Sequence, residues 1–160
     1  ALGSLYRMSN AKTRSICAEN PTGEPGKGAM AEPNGEGPGA KLGKGWKIKP
    51  CITVKPNETA VLADYKGSGI IRHIWMTADS RMSRGGILRF YWDGETEPSV
   101  EVPFADFYAM GHGKRYDVNS LPVVVNPNGG MNCYWPMPFR KSFKITFTNE
   151  YHEEVRGFFF

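Results

Sequence analysis

The stretch from Ile87 to Phe107 constrains the fold more than any other. Leu88, Phe90 and Trp92 alternate there with Arg89 and Tyr91. Apolar residues at every second position share one face of an extended chain, so this is the pattern of a half-buried strand. Asp93-Gly94 follows, and a tight turn needs residues that accept positive φ. After Pro98, Val100, Val102 and Phe104 alternate with Ser99 and Glu101. Two such strands make an antiparallel pair, and a chain built from antiparallel pairs buries its core by laying sheet on sheet.

Composition points the same way. The 160 residues hold nineteen Gly and twelve Pro, which suits short strands joined by turns and argues against long helices. A hydrophobic content of 40% with 12% aromatic is ample for the core of one domain. Residues 1–11 read as a lead-in and 12–160 as the domain. Lys12 to Glu19 is expected as a first short strand, ahead of a long Gly- and Pro-rich loop from Pro21 to Lys44. Gly45 to Val54 resumes an alternation through Trp46, Ile48 and Ile52, and Thr59 to Tyr65 reads as another strand. Ile70 to Thr77 is mostly apolar and is expected as a strand buried on both faces, with His73 a hydrogen-bonded core residue.

Asp79 to Gly86 reads as a polar loop, and Tyr108 to Ser120 as an irregular segment with room for a helical turn. Val123 to Val125, Met131 to Phe139 and Lys144 to Asn149 supply further strands, the second and third entered from turns. Phe158-Phe159-Phe160 looks like a core strand cut short, so the domain is expected to be incomplete at its C-terminal end. About eight strands and no confident helix make the fold all-β, a β-sandwich of the jelly-roll kind.

Charge excludes less than it suggests. The net charge is +4, and residues 1–55 carry nine Lys or Arg against four Glu, or +5, leaving −1 for the remainder. Lys41, Lys44, Lys47, Lys49 and Lys55 are spread through Gly- and Pro-rich sequence without aromatic interleaving, the pattern of solvated loop charge and not of a nucleic-acid footprint. No apolar run approaches the roughly 20 residues that cross a bilayer, so no membrane partner is expected. The chain reads as soluble, either cytoplasmic or exported after loss of a leader.

Several motifs fail on spacing. Gly39 and Gly43 enclose three residues where a phosphate loop needs four, and Lys44 is followed by Gly45 instead of Ser or Thr. Cys17, Cys51 and Cys133 are far apart, with no Cys-x-x-Cys, so no metal or cofactor is expected and free thiols are the plain reading. Asp93, Glu95, Glu97 and Glu101 are dense enough to invite a glycosidase pair, but Asp93 serves the turn and Glu95 and Glu97 read as its solvated flank. His112, between two glycines, is the better histidine for exposed chemistry, although it lacks a second ligand at metal spacing. Asn57-Glu58-Thr59 is a formal glycosylation sequon and says little alone.

The segment Glu19 to Gly28 is different in kind. It sets Glu19, Asn20, Glu24 and Lys27 on a glycine-rich backbone that can approach a ligand closely. With Trp46, Asn132, Tyr134 and Trp135 it offers the polar groups and aromatic faces that suit sugar binding; a structured surface or subunit-interface loop is the other reading.

These segments together resemble one family. Thr13-Arg14-Ser15, Glu19-Asn20-Pro21-Thr22-Gly23 and Gly43-Lys44-Gly45-Trp46 are similar to its opening. His73-Ile74-Trp75-Met76-Thr77, Leu88-Arg89, Tyr91-Trp92-Asp93-Gly94-Glu95, Pro98 to Pro103 and Met137-Pro138-Phe139 follow in the expected order. The family is glycoside hydrolase family 172, formerly domain of unknown function 2961. The resemblance implies a subunit of two jelly rolls assembled into trimers or hexamers. The implied activity is retaining cleavage of α-linked fructofuranosides or arabinofuranosides, with one glutamate as nucleophile and another as acid/base.

Both glutamates are expected in a second half, one near a Gly-Thr-Gly-x-Glu-Asp-Tyr motif that this sequence lacks. No catalytic residue is therefore assigned here. The chain resembles the N-terminal jelly roll, and its partners are expected to be carbohydrate, further copies and the missing second jelly roll. A non-catalytic carbohydrate-binding or oligomer-forming jelly roll is the alternative.

Overall fold

The Ile87 to Phe104 alternation folds as an antiparallel pair. In the computed structural model, which describes residues 6–33, 35–36 and 39–160, Gly86–Trp92 pairs with Val100–Pro103, Leu88 opposite Val102 and Phe90 opposite Val100. Leu88 and Phe90 are wholly buried. Asp93 and Gly94 have φ of 53° and 92°, and Glu95 N–H donates to the Trp92 carbonyl at 2.9 Å, closing the turn the dipeptide predicts. Asp93 Oδ1 also accepts the backbone N–H groups of Arg140, Lys141 and Ser142 at 2.8, 2.6 and 3.2 Å, which pins the turn to a distant segment.

The described residues form twelve strands: β1 (Cys51–Val54), β2 (Thr59–Lys66), β3 (Gly69–Ile71), β4 (Ile74–Met76), β5 (Gly86–Trp92), β6 (Val100–Pro103), β7 (Val118–Asn119), β8 (Val123–Val125), β9 (Met131–Cys133), β10 (Met137–Phe139), β11 (Ser142–Asn149) and β12 (Val155–Phe159). One helical turn at Met82–Gly85 and a 3-10 turn at Asp106–Tyr108 are the helical elements among these residues, and neither is long enough to cross a membrane.

Their pairing is that of a jelly roll. One sheet runs β2-β11-β5-β6. The other runs β4-β9-β8-β7 and is extended by β12, whose Phe159 exchanges two backbone hydrogen bonds with Thr77 and whose other edge carries β1. A continuous ribbon links the two: β2-β3-β4 pairs in turn with β11, β10 and β9, wrapping from one sheet to the other. The core lies between the sheets, where Phe147 and Phe158 meet at 4.3 Å and Phe104 touches both.

Two expectations are corrected. Lys12 to Glu19 forms no strand; it makes an isolated bridge, Cys17 to Asn20, because no neighbouring strand offers it a ladder. Ile70 to Thr77 and Met131 to Phe139 are each broken in two, at Arg72-His73 and at Tyr134–Pro136, where the ribbon leaves one sheet for the other. His73 is accordingly exposed, not core, and Ile70 and Trp75 are also exposed. In the Phe158 to Phe160 run, Phe158 is wholly buried, and Phe159 bonds Thr77 on one side and lies opposite Cys51 of β1 on the other.

Candidate functional site

The Glu19 to Gly28 loop is held by its own polar groups. Asn20 is buried, and its Nδ2 donates to the carbonyls of Ser15 at 3.3 Å and Glu24 at 3.0 Å. Both amide hydrogens are thus committed to the loop. Gly23, at φ 67°, lets the chain pass Ile16, whose Cγ1 would lie 2.9 Å from an added Cβ. Glu19 Oε1 accepts the Lys49 backbone N–H, tying the loop to the approach to β1, while Oε2 is shielded without a partner among the described residues. Glu24 lines a cavity of about 210 Å³ with Thr13, Arg14 and Ser15. Lys27 and Trp46 are exposed and stand outside that lining.

Asn132 and Trp135 lie elsewhere. Asn132 sits mid-sheet on β9, opposite Trp75 on β4 and Val124 on β8. Its Nδ2 donates to the carbonyls of Val124 at 3.2 Å and Gly130 at 3.4 Å, which turns Oδ1 toward His73 Nε2 at 3.1 Å. Oδ1 can only accept, so His73 donates from Nε2 and its Nδ1 faces no donor among the described residues. His73 also stacks on Tyr134 at 4.7 Å and 15°. Trp135 is exposed, one residue off the alternation that puts Asn132 and Tyr134 on one face. No hydrogen bond or ring contact among the described residues joins Asn132 or Trp135 to the Glu19 to Lys27 loop.

The sequence reading missed what the sheet does with these neighbours. His73, Trp75 and Thr77 occupy alternate positions on one outer face, with Trp75 and Tyr134 exposed by 36% and 46%. Gly130 makes room for Trp75, whose Nε1 would lie 3.1 Å from an added Cβ. Gly129, at φ 77°, makes room for Arg115, whose Cζ would lie 2.3 Å from one. Arg115 Nη2 donates to the Ala78 carbonyl at 3.1 Å, and Thr77 Oγ1 to the Gly129 carbonyl at 2.8 Å. The row ends in a cavity of about 410 Å³ lined by Thr77, Asp79, Ser80, Arg115 and Arg156. The signal available in the sequence was the spacing of His73, Trp75 and Thr77, which an aromatic outer face disguises as a fully buried strand.

The outer face of the opposite sheet is closed by its own polar ladder. Arg89 pairs with Glu101 at 2.6 Å and donates to Thr148 Oγ1 at 2.7 Å, Thr59 and Thr148 hydroxyls meet at 2.8 Å, and Lys144 lies 4.6 Å above the Tyr91 ring. The two faces of the sandwich therefore differ in chemistry.

Residues 41–160 match the family model described as the GH172 first beta-sandwich domain. The match covers the whole of β1 to β12 and leaves the Glu19 to Lys27 loop outside it. No curated protein matches the chain. A match over three quarters of the sequence, on a fold whose strands pair as a β-sandwich, places the chain in glycoside hydrolase family 172, as its first β-sandwich domain.

Proposed function

We propose that this chain is the non-catalytic first sandwich of a retaining glycosidase acting on α-linked fructofuranosides or arabinofuranosides. The nucleophile and the acid/base glutamate come from a second sandwich, and the chain contributes to a substrate pocket and to assembly in trimers or hexamers. The observation that carries this reading is the family match across β1 to β12. A retaining mechanism needs two carboxyl groups about 5–5.5 Å apart, one ionised and one protonated. Five of the carboxylates here are engaged otherwise: Asp79 and Glu153 with Arg81, Asp106 with Arg84, Glu101 with Arg89, Glu19 with a backbone N–H. An oxygen already bonded to an arginine or to a backbone N–H is not free to attack a sugar or to pass it a proton.

Glu19, Asn20, Glu24, Lys27, Trp46, Asn132 and Trp135 are carried forward as contributors to sugar binding, Asn20 and Asn132 through the backbone they hold and Glu24 through the cavity it lines. The test is release of p-nitrophenol from its α-L-arabinofuranoside, by this chain alone and by the full polypeptide its gene encodes. Activity is expected from the full polypeptide only. Glu24→Gln in that polypeptide is expected to raise KM and leave kcat unchanged. Turnover by the isolated chain, or collapse of kcat in Glu24→Gln, overturns the reading. Native mass spectrometry of the full polypeptide checks the trimer or hexamer.

A further inference from the structure

An asparagine side chain carries an amide carbon that the backbone nitrogen of the next residue can reach, and such an intramolecular attack needs no second molecule to be brought up. The described asparagines differ in how far sequence and fold permit it. Asn20 and Asn126 precede proline, whose nitrogen has no hydrogen to lose. Asn132 bonds Val124, Gly130 and His73, and Asn149 bonds Val54, Glu153 and Tyr151, so both side chains are held away from their own backbone. Asn10, Asn57 and Asn119 are exposed, but Ala11, Glu58 and Ser120 follow them, and the Cβ of each crowds the attacking nitrogen. Asn128 is exposed and is followed by Gly129, which has no Cβ. Asp93-Gly94, the corresponding aspartate pair, is locked by the three backbone N–H groups on Asp93 Oδ1.

We propose that Asn128 is a site of spontaneous deamidation, a covalent modification that reshapes the turn before β9. The Gly129 N–H donates to the Asn126 carbonyl at 2.7 Å, so attack waits for the exposed tip of this turn to open. The Gly129 nitrogen then gives its proton to hydroxide and bonds to Asn128 Cγ. The Cγ–Nδ2 bond breaks, and Nδ2 leaves as ammonia after taking a proton from water. Water opens the resulting five-membered imide at either carbonyl. Cleavage of the new Cγ–N bond gives aspartate, and cleavage of the original peptide bond gives isoaspartate, whose main chain runs through Cβ and Cγ. The net change is one water consumed and one ammonia released, with no oxidation or reduction.

The isoaspartate product adds one atom to the main chain where the fold tolerates it least. The turn is closed by Asn126 N–H to the Gly130 carbonyl at 3.0 Å and by the Gly129 bond to Asn126. Gly129 is buried beneath the Arg115 guanidinium, and its carbonyl accepts from Thr77 Oγ1 at 2.8 Å. Thr77 and Arg115 both line the cavity of about 410 Å³, so a change at an exposed turn tip reaches that cavity through Gly129.

The experiment incubates the folded 160-residue chain in mildly alkaline buffer at body temperature. Peptide mapping by mass spectrometry follows each asparagine, and an isoaspartyl methyltransferase marks isoaspartate. Mapping also separates Asn128 from Asn34, the other asparagine that precedes glycine in the sequence. Conversion at Asn128 is expected at least about tenfold faster than at Asn57 and Asn119. Asn128→Gln, whose ring would need six members, should remove the isoaspartate mark from that peptide. The isoaspartate-rich fraction, taken by ion exchange, is expected to unfold about 6–12 °C lower through loss of the two turn bonds and the Arg115 bond. Asn128→Asp has the same charge on an ordinary backbone and should shift Tm by less than about 2 °C. Conversion at Asn128 no faster than at Asn57 and Asn119 overturns the site. An isoaspartate-rich fraction with the Tm of Asn128→Asp overturns the reshaped turn.

Discussion

Gly129→Ala tests how the turn before β9 seats Arg115. Gly129 has φ 77°, a region where an L-residue brings Cβ against the following carbonyl at a cost of about 1–2 kcal/mol. The same Cβ would lie 2.3, 2.5 and 2.6 Å from Cζ, Nε and Nη1 of Arg115, so the guanidinium must leave. Leaving breaks its 3.1 Å hydrogen bond to the Ala78 carbonyl, a part-buried bond contributing about 1 kcal/mol. The two effects give a loss of about 2–3 kcal/mol, which for a chain of this size lowers Tm by about 4–12 °C. Urea and thermal unfolding followed by circular dichroism measure it. A double-mutant cycle separates the parts: in an Arg115→Ala background the substitution should cost only the backbone strain, a coupling of about 1 kcal/mol. Gly129→Asn in that background should cost less again, because Asn tolerates the left-handed region. A Gly129→Ala loss under about 0.5 kcal/mol, or strict additivity with Arg115→Ala, would refute the argument that this glycine exists to seat Arg115.

Three further outcomes follow from the same structure. The Lys141 backbone N–H, then those of Ser142 and Arg140, hold the Asp93 carboxyl below its ordinary 3.8. A depressed folded value stabilises above the unfolded one and is lost as pH falls through the folded one, so the Tm gap between the chain and Asp93→Asn should be constant at neutral pH and close below 3.8; a gap independent of pH sinks this. Gly86→Ala would place Cβ 2.4 Å from Cε2 of the wholly buried Phe147 and should cost about 1–3 kcal/mol in urea unfolding, relieved in a Phe147→Leu background; equal cost in both backgrounds counts against the overpacking. Cys133 is wholly buried and burial pushes its thiol up, so a thiol reagent followed by mass spectrometry should label Cys17 and Cys51 first and Cys133 only on unfolding.

The parts of the fold legible from the sequence share one property: their inward and outward residues differ in polarity. Leu88 and Phe90 alternate with Arg89 and Tyr91, Ile145 and Phe147 with Thr146 and Thr148, and these became β5 and β11 of the sheet whose outer face is polar. The other sheet defeats that reasoning. Along β4 the inward residues are Ile74 and Met76 and the outward ones His73, Trp75 and Thr77, so aromatic character on both sides reads as burial on both sides. The error is therefore informative, because a period-2 strand whose outer row is aromatic and exposed has a surface awaiting contact.

The glycines were opaque for a second reason. Nothing local distinguishes Gly129-Gly130 from any other turn; what demands them is Arg115, fourteen residues earlier, and Trp75, across the sheet. Asn132 behaves alike. Read alone it is a candidate ligand, but its partners are Val124, Gly130 and His73, so its role is to hold the histidine. Spacing along the chain identifies residues capable of binding, whereas the hydrogen bonds already made decide which still have groups to offer. By that criterion the amides of Asn20 and Asn132 act through the backbone they hold, whereas the Trp75 and Tyr134 rings stay exposed among the described residues.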